Sequence, residues 1–434
     1  MAILIMPDTL RPISIGYLTS GIIFATVFIL LIARRRGKAI LPIWIVFLVA
    51  AALVLLLGLA SPSQAVSSID PQVLLFLFSM FVISKGLEMS GDLESLSAWL
   101  VSHGKSGMRV YLLLSYVFGL ASALIMNDSL AIMGTPIVIN YAKRTNLDPR
   151  PFLYILAFSV SLGSAMTPVG NPQNSIIAIE SGLKSPFIDM LIYIAPFSIL
   201  TLGGLAILSR FFFGRIVVDS NHQAMEVHVD KEASKVARIS LVVAVAGILM
   251  SDVFRLIGYS GLTIAEGALP GALILILFSR SRLELLRRIE WKVLVMFVGL
   301  FIYARGIYDG GLLNFLLPTS NGDLQGLGLL LTIIFSSIFL SQVVSNVPAV
   351  ILLMPYLRSA ISATDALHWT AFAAASTLAG TLTLIGAASN LIVVEQASML
   401  GVRITYSSFF KYGAPVTAMS VLVLYLLFKG YSIF

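Results

Sequence analysis

The chain of 434 residues contains no cysteine and only four histidines, His103, His222, His228 and His368. The first absence excludes disulfides, thiolate metal centres and cysteine nucleophiles. No two of the histidines stand at metal-ligand spacing inside an apolar segment, which argues against an imidazole-held metal. Charge is also scarce, at 11% Asp, Glu, Lys and Arg, where a soluble domain carries about 25%. That shortage excludes an ordinary soluble enzyme, a disordered chain and a nucleic-acid-binding module. A basic n-region and a small-residue cleavage site are missing before the first apolar run, so no removable signal peptide is expected.

What is present is apolar sequence: 58% of the residues are hydrophobic and the mean hydropathy is +0.97. About 20 such residues cross a hydrocarbon core. Full spans are read at 12–33, 40–60, 71–90, 187–208, 237–258, 262–279, 292–310 and 406–428, and interrupted spans at 151–182 and 365–400. Residues 110–142 and 325–360 are apolar but hold Asn127-Asp128-Ser129 and Ser345-Asn346-Val347-Pro348 in their middles. Two crossings need about 40 residues and a turn, so each of these segments is expected to be a re-entrant helical hairpin. Polar backbone at that depth is tolerated only where protein or a water-filled cavity surrounds it.

The net charge of +7 comes from Lys and Arg gathered in short gaps between apolar runs, the pattern of membrane orientation and not of a nucleic-acid partner. With Arg34, Arg35, Arg36 and Lys38 placed in the cytoplasm, the alternation sends 21 basic residues to that side and five outside. Both termini are then expected outside, in a prokaryotic cytoplasmic (inner) membrane. The amphipathic stretch 91–109 is expected to lie on the cytoplasmic interface.

The two halves of the chain correspond. Asp70 to Phe78 aligns with Glu290 to Val298, Lys85-Gly86 with Arg305-Gly306, and Asn127 and Pro136 with Asn346 and Pro355. Thr167, Gly170 and Asn174 fall on Thr383, Gly386 and Asn390, and Ala195-Pro196 on Ala414-Pro415. Each half has an odd number of crossings, so the second is expected to be inverted. The expected class is an all-α polytopic membrane protein of two inverted-topology repeats, with ten crossings, two re-entrant hairpins and two broken helices. Its parts are N-terminal scaffold helices (1–69), repeat 1 (70–208), a cytoplasmic linker with scaffold helices (209–289) and repeat 2 (290–434), residues 209–236 forming the linker itself. Inverted repeats with discontinuous helices build secondary transporters, with the site near the midplane.

The residues expected to bind substrate or ion are Asn127, Asp128 and Ser129; Thr167, Pro168, Gly170, Asn171, Gln173 and Asn174; Ser345, Asn346 and Val347; and Thr381, Thr383, Gly386, Ser389 and Asn390. Freed helix N-termini can face an anion, while freed carbonyls and Asn or Ser oxygens can hold Na⁺. Two Na⁺ positions suggest themselves, at Asn127, Asp128 and Asn174 and at Ser345, Asn346 and Asn390. A carboxylate at depth is costly, about 2.5–3.5 kcal/mol, so Asp128 is read as an Na⁺ ligand or proton carrier, with a helix cap as the bland alternative. For Thr381, Thr383, Ser389 and Asn390 the alternative is small-residue helix packing. Lys85 and Arg305 are expected to snorkel, and Asp252 and Glu266 to be solvated near span ends. Glu180 and Glu395 are gate or proton-path residues, or simply lie at the aqueous ends.

Asn127-Asp128-Ser129 with Pro136, Thr167 to Asn174, and Leu340 to Pro348 resemble the ion transporter superfamily, in the branch of arsenite permeases (ArsB), NhaD-type sodium/proton antiporters and citrate or other anion permeases. The last two motifs look closest to YbiR-like anion permeases. The resemblance implies a scaffold and a mobile transport part working as an elevator, no cofactor, H⁺ or Na⁺ as coupling ion, and a homodimer. Arsenite-type relatives also pair with a separate ATPase subunit; this chain has no Walker motif of its own. The expected activity is secondary transport of a small anion, oxyanion or arsenite. A Na⁺/H⁺ antiporter and an ion channel are the alternatives, and a membrane enzyme is disfavoured because no His or Lys base adjoins the polar loops.

Overall fold

A computed structural model describes residues 15–35, 42–92, 95, 103, 107–215, 229–259, 261–312 and 326–432. Among these residues the structure is helical, without strands. The chain order is α1 (Ile15–Arg35), α2 (Ile43–Leu56), α3 (Pro62–Ser68), α4 (Pro71–Met89), α5 (Met108–Ser122), α6 (Asn127–Arg144), α7 (Pro149–Ser164), α8 (Pro172–Glu180) and α9 (Pro186–Phe213). It continues with α10 (Lys231–Leu256), α11 (Ile264–Phe278), α12 (Arg282–Arg288), α13 (Trp291–Asp309), α14 (Gly326–Val344), α15 (Asn346–Ala360), α16 (Ala366–Leu378), α17 (Ala388–Met399) and α18 (Tyr406–Tyr431). By length and composition, α4, α9, α10, α13, α14 and α18 can each cross a membrane.

Local chemistry sets the helix starts. Ser61 with Gln64, Thr263 with Glu266 and Thr405 with Ser408 form reciprocal caps at α3, α11 and α18. Asp148, Asn171, Asp230 and Asp365 cap α7, α8, α10 and α16 with their side chains. Each supplies an acceptor to N–H groups that the helix leaves unpaired. Pro149 and Pro172 follow their caps, where a missing N–H costs nothing.

The chain divides into two compact units. One holds α1, α2, α3 and α13; the other holds α4 to α12 and α14 to α18. In the first, α13 lies along α2 through glycine: a β-carbon at Gly306 would meet the Val54 side chain at 2.5 Å, and one at Gly299 would meet the Phe47 carbonyl oxygen at 2.8 Å. In the second, the α10–α11 pair meets through Ser240, Ala244 and Gly247 on one side and Gly267, Ala268 and Gly271 on the other. A β-carbon on either Gly247 or Gly267 would overlap the other's carbonyl oxygen. Such small-residue contacts let dispersion act between backbones where lipid supplies no hydrophobic drive. Gly267→Val is therefore expected to destabilise the protein by about 1–3 kcal/mol, read as a lower unfolding temperature in detergent.

The segments expected as hairpins resolve into α5 with α6, joined by 123–126, and α14 with α15, joined through Ser345. The expected broken spans resolve into α7 with α8 and α16 with α17. Helix enters the stretch expected as a linker from both ends, since α9 runs to Phe213 and α10 starts at Lys231. Most of the 91–109 stretch and all of Met1 to Arg11 fall outside the described residues.

Two charged residues depart from expectation. Lys85 does not snorkel. It is buried on α4, 2.6 Å from Glu88 Oε2 and 4.0 Å from Glu290 Oε1, because acidic neighbours within reach make an interior ammonium cheaper than extension. Asp252 is not solvated; it is fully buried on α10, and its Oδ2 accepts from the N–H groups of Phe187 and Ile188 at 2.8 and 2.9 Å. These are orphan donors of the first turn of α9, and the positive helix end attracts the carboxylate. Arg305 pairs with Asp309 at 2.6 Å, and Glu266 is exposed as expected.

Candidate functional site

The first polar break connects α7 to α8. Asn171 caps α8 by accepting from Asn174 N–H at 2.9 Å. Asn174 then turns its amide back and donates Nδ2 to the carbonyls of Ser164, Ala165 and Thr167 at 3.2, 3.0 and 3.2 Å. These carbonyls, at the last residue of α7 and in the break just beyond it, have no helical partners. Thr167 Oγ1 donates to the Ala123 carbonyl and accepts from Val169 N–H at 3.2 Å. The Pro168 carbonyl accepts from Ser175 Oγ at 2.7 Å. Gly170 is required by space, since a β-carbon there would overlap the Ser164 carbonyl oxygen and stand 2.7 Å from that of Ser122.

The second break, between α16 and α17, repeats this construction at the aligned positions. Asn390 Nδ2 donates to the carbonyls of Gly380 and Thr383, at 2.6 and 3.1 Å. Thr383 Oγ1 accepts from Ile385 N–H at 3.3 Å and donates to Gln342 Oε1 at 2.7 Å. A β-carbon on Gly386 would meet the Ala379 carbonyl oxygen at 2.6 Å. One feature is not repeated: Ala387 stands where Asn171 caps, and it has no side-chain acceptor.

The hairpin tips dock on these breaks. Asn127 N–H donates to the Gly170 carbonyl at 2.8 Å, so the first turn of α6 abuts the first break. Asn346, at the start of α15, places its side-chain amide against the carbonyls of Gly386 and Ser376 and against Gln173 Nε2. Ser345 joins α14 to α15 at φ 77°, ψ 165°, a conformation costly for a residue with a β-carbon and one that clusters at ligand sites. Ser129 is buried in the first turn of α6, and Val347 follows Asn346 in α15.

The two breaks also touch each other. Thr377 of α16 accepts from Asn171 Nδ2 at 3.3 Å and donates to Asn174 Oδ1 at 3.1 Å. Four helices, α6, α8, α15 and α17, therefore begin at one cluster, and each adds the partial positive charge of its N-terminus. Within the cluster Asn127 Oδ1, Asn390 Oδ1, Ser389 Oγ and Ser161 Oγ are buried with no hydrogen-bond partner. Buried oxygens without donors are costly, and they suit a hard cation or a ligand hydroxyl. Asp128, in the first turn of α6, makes no side-chain cap bond, and Met126 holds the N-cap position. The bland reading of Asp128 as a cap thus gains no geometric support.

The sequence-expected residues converge, with one turned away: Thr381 Oγ1 pairs with Thr417 Oγ1 of α18 at 2.8 Å. Of the two suggested Na⁺ sets, Asn127 and Asn390 offer unpartnered oxygens, whereas Asn174 Oδ1 already accepts from Thr377. Sequence reasoning missed Ser161, Ser164, Gln342 and Thr377. Gln342 Nε2 donates to the Ala379 carbonyl at 2.9 Å, and Asn171 Nδ2 donates to Ser164 Oγ at 3.0 Å. Hydroxyls three and six residues before Thr167 were the available signal for Ser164 and Ser161. Among the described residues no group of three or more His, Asp or Glu side chains is placed to hold a metal ion.

Residues 27–379 match the family of citrate transporters (CitMHS). An uncharacterized transporter of Mycobacterium tuberculosis is 29% identical over 416 residues, covering 92% of this chain and 95% of the relative. A silicon efflux transporter of Oryza sativa subsp. japonica is 28% identical, covering 86% of this chain and 87% of the relative. Among solved structures, the YdaH transporter of Alcanivorax borkumensis superposes with a TM-score of 0.59 at 14% identity, over 90% of this chain and 98% of that one. At that identity the likeness concerns the fold alone.

Proposed function

The chain belongs to the citrate transporter family, and from that premise we propose a secondary active transporter for a small oxyanion or an uncharged hydroxylated acid such as arsenous acid. The proposed coupling ion is H⁺ or Na⁺, and the proposed movement is an elevator in which inverted repeats share one midplane site. One observation carries this reading. Two polar breaks, built alike around Asn174 and Asn390, meet through Thr377 and leave buried oxygens unpartnered beside four helix N-termini.

The substrate class follows from the chemistry of that cluster. Asn, Gln, Ser and Thr groups line it, Asp128 follows Asn127 in the first turn of α6, and none of the residues that build the cluster is Lys or Arg. A tricarboxylate carries charge that helix N-termini, about half an elementary charge each, would have to balance alone. A neutral hydroxylated acid needs only hydrogen bonds, its hydroxyls donating to the unpartnered oxygens, and a small monoanion needs only the N–H groups and partial charge of the helix N-termini. A relative named for silicon efflux is in keeping with such a species. A second reading, Na⁺/H⁺ exchange, is favoured by the uncapped Asp128 carboxylate alone.

Counterflow in proteoliposomes tests the carrier reading. Arsenite, silicic acid, phosphate, succinate and citrate would each be preloaded and their tracer uptake followed. Acceleration by arsenite, silicic acid or phosphate on the trans side is the expected result. Flux of the same species that trans substrate leaves unaccelerated would indicate a channel, and acceleration by citrate alone would overturn the substrate class.

A further inference from the structure

The helices α8 and α15 both begin at the cluster and pack along each other as they leave it. Their far ends are tied. Arg358, in the last turn of α15, donates Nε to the Glu180 carbonyl at 2.7 Å, and its Nη2 reaches the same oxygen. The Nη2 also stands 3.0 Å from Glu180 Oε2. One guanidinium thus caps the final carbonyl of α8 and neutralises the carboxylate beside it, where a cation is favoured by the helix dipole. Just beyond, a β-carbon at Gly182 would stand 3.1 Å from Ala363 Cβ, so the chains leaving both helices touch as well.

This arrangement joins a polar cluster at one end of a seam to an ionic clasp at the other. The clasp can open: Arg358 is half exposed although the Glu180 side chain is largely covered, so water can replace the guanidinium's bonds as α15 moves during turnover. Resting on the transporter reading above, we propose that the α8–α15 seam is the access route between the cluster and one membrane face, with Arg358 and Glu180 as the latch that closes it. The basic-residue distribution places that face outside. Opening requires only that α15 swing from α8 at its far end.

The natural absence of cysteine gives a clean test. Glu180→Cys with Arg358→Cys would be bridged by a short bis-thiosulfonate reagent, and uptake measured before bridging, after it, and after reduction. Bridging is expected to lower the initial rate by about tenfold or more, with recovery on reduction. An unchanged rate in the bridged protein overturns the latch while leaving the transporter reading intact; wild-type protein that moves no substrate would instead remove that reading. A second variant keeps the test independent of transport. In a Ser376→Cys background, Arg358→Gln is expected to raise the reaction rate of the buried thiol with an aqueous reagent by about tenfold. An unaltered thiol rate contradicts the latch.

Discussion

Asp128→Asn is expected to abolish ion-driven transport while leaving the protein folded. The substitution keeps the shape and removes only the charge. Asp128 caps nothing, so no helix start depends on its carboxylate. Losing a charged ligand is worth about 3 kcal/mol, or roughly a hundredfold in ion affinity. The check is uptake under an imposed ion gradient beside a thermal melt of the same preparation. Lost uptake with an unchanged melt assigns Asp128 to coupling. Normal uptake would hand that role to the unpartnered oxygens of Asn127 and Asn390.

Asn174→Ala is expected to have the largest structural effect. One side chain satisfies the carbonyls of Ser164, Ala165 and Thr167 and accepts from Thr377. The Ser164 carbonyl keeps Asn171 Nδ2, but each buried carbonyl left unpaired costs about 1–3 kcal/mol, so those of Ala165 and Thr167, together with the lost Thr377 link, threaten the whole break. Loss of transport with a clear drop in unfolding temperature is the expected outcome. Asn390→Ala, which removes a donor from the Gly380 carbonyl while that of Thr383 keeps the Gly386 N–H, should lie between it and wild type. Equal melts for all three proteins would mean that water replaces both amides without cost.

Much of this was legible in the sequence for a physical reason. Single prolines are accommodated inside α6, α9, α11, α15 and α18, but Pro168, Gly170 and Pro172 within five residues exceed a kink, and amides at that depth must find partners, so the break and its Asn pair announce themselves. The correspondence of Thr167 and Asn174 with Thr383 and Asn390 reappears in their hydrogen bonds. The partners contributed by other helices were not legible. Asp252 reads as a solvated end residue because the N–H groups that it receives belong to Phe187 and Ile188, more than sixty residues earlier. Lys85 reads as a snorkelling residue because spacing gives depth but not the approach of Glu290. Thr377 reads as filler until α16 is laid against α8.

The most direct test of the account is flux in proteoliposomes with ΔpH and ΔNa⁺ imposed one at a time, scored for arsenite, silicic acid, phosphate and citrate and for Na⁺/H⁺ exchange. A coupled carrier of small hydroxylated species predicts that arsenite, silicic acid or phosphate accumulates against its gradient under one of the two driving forces, and that Asp128→Asn prevents it. Na⁺/H⁺ exchange with no movement of any of these solutes would contradict the account and make the protein an antiporter.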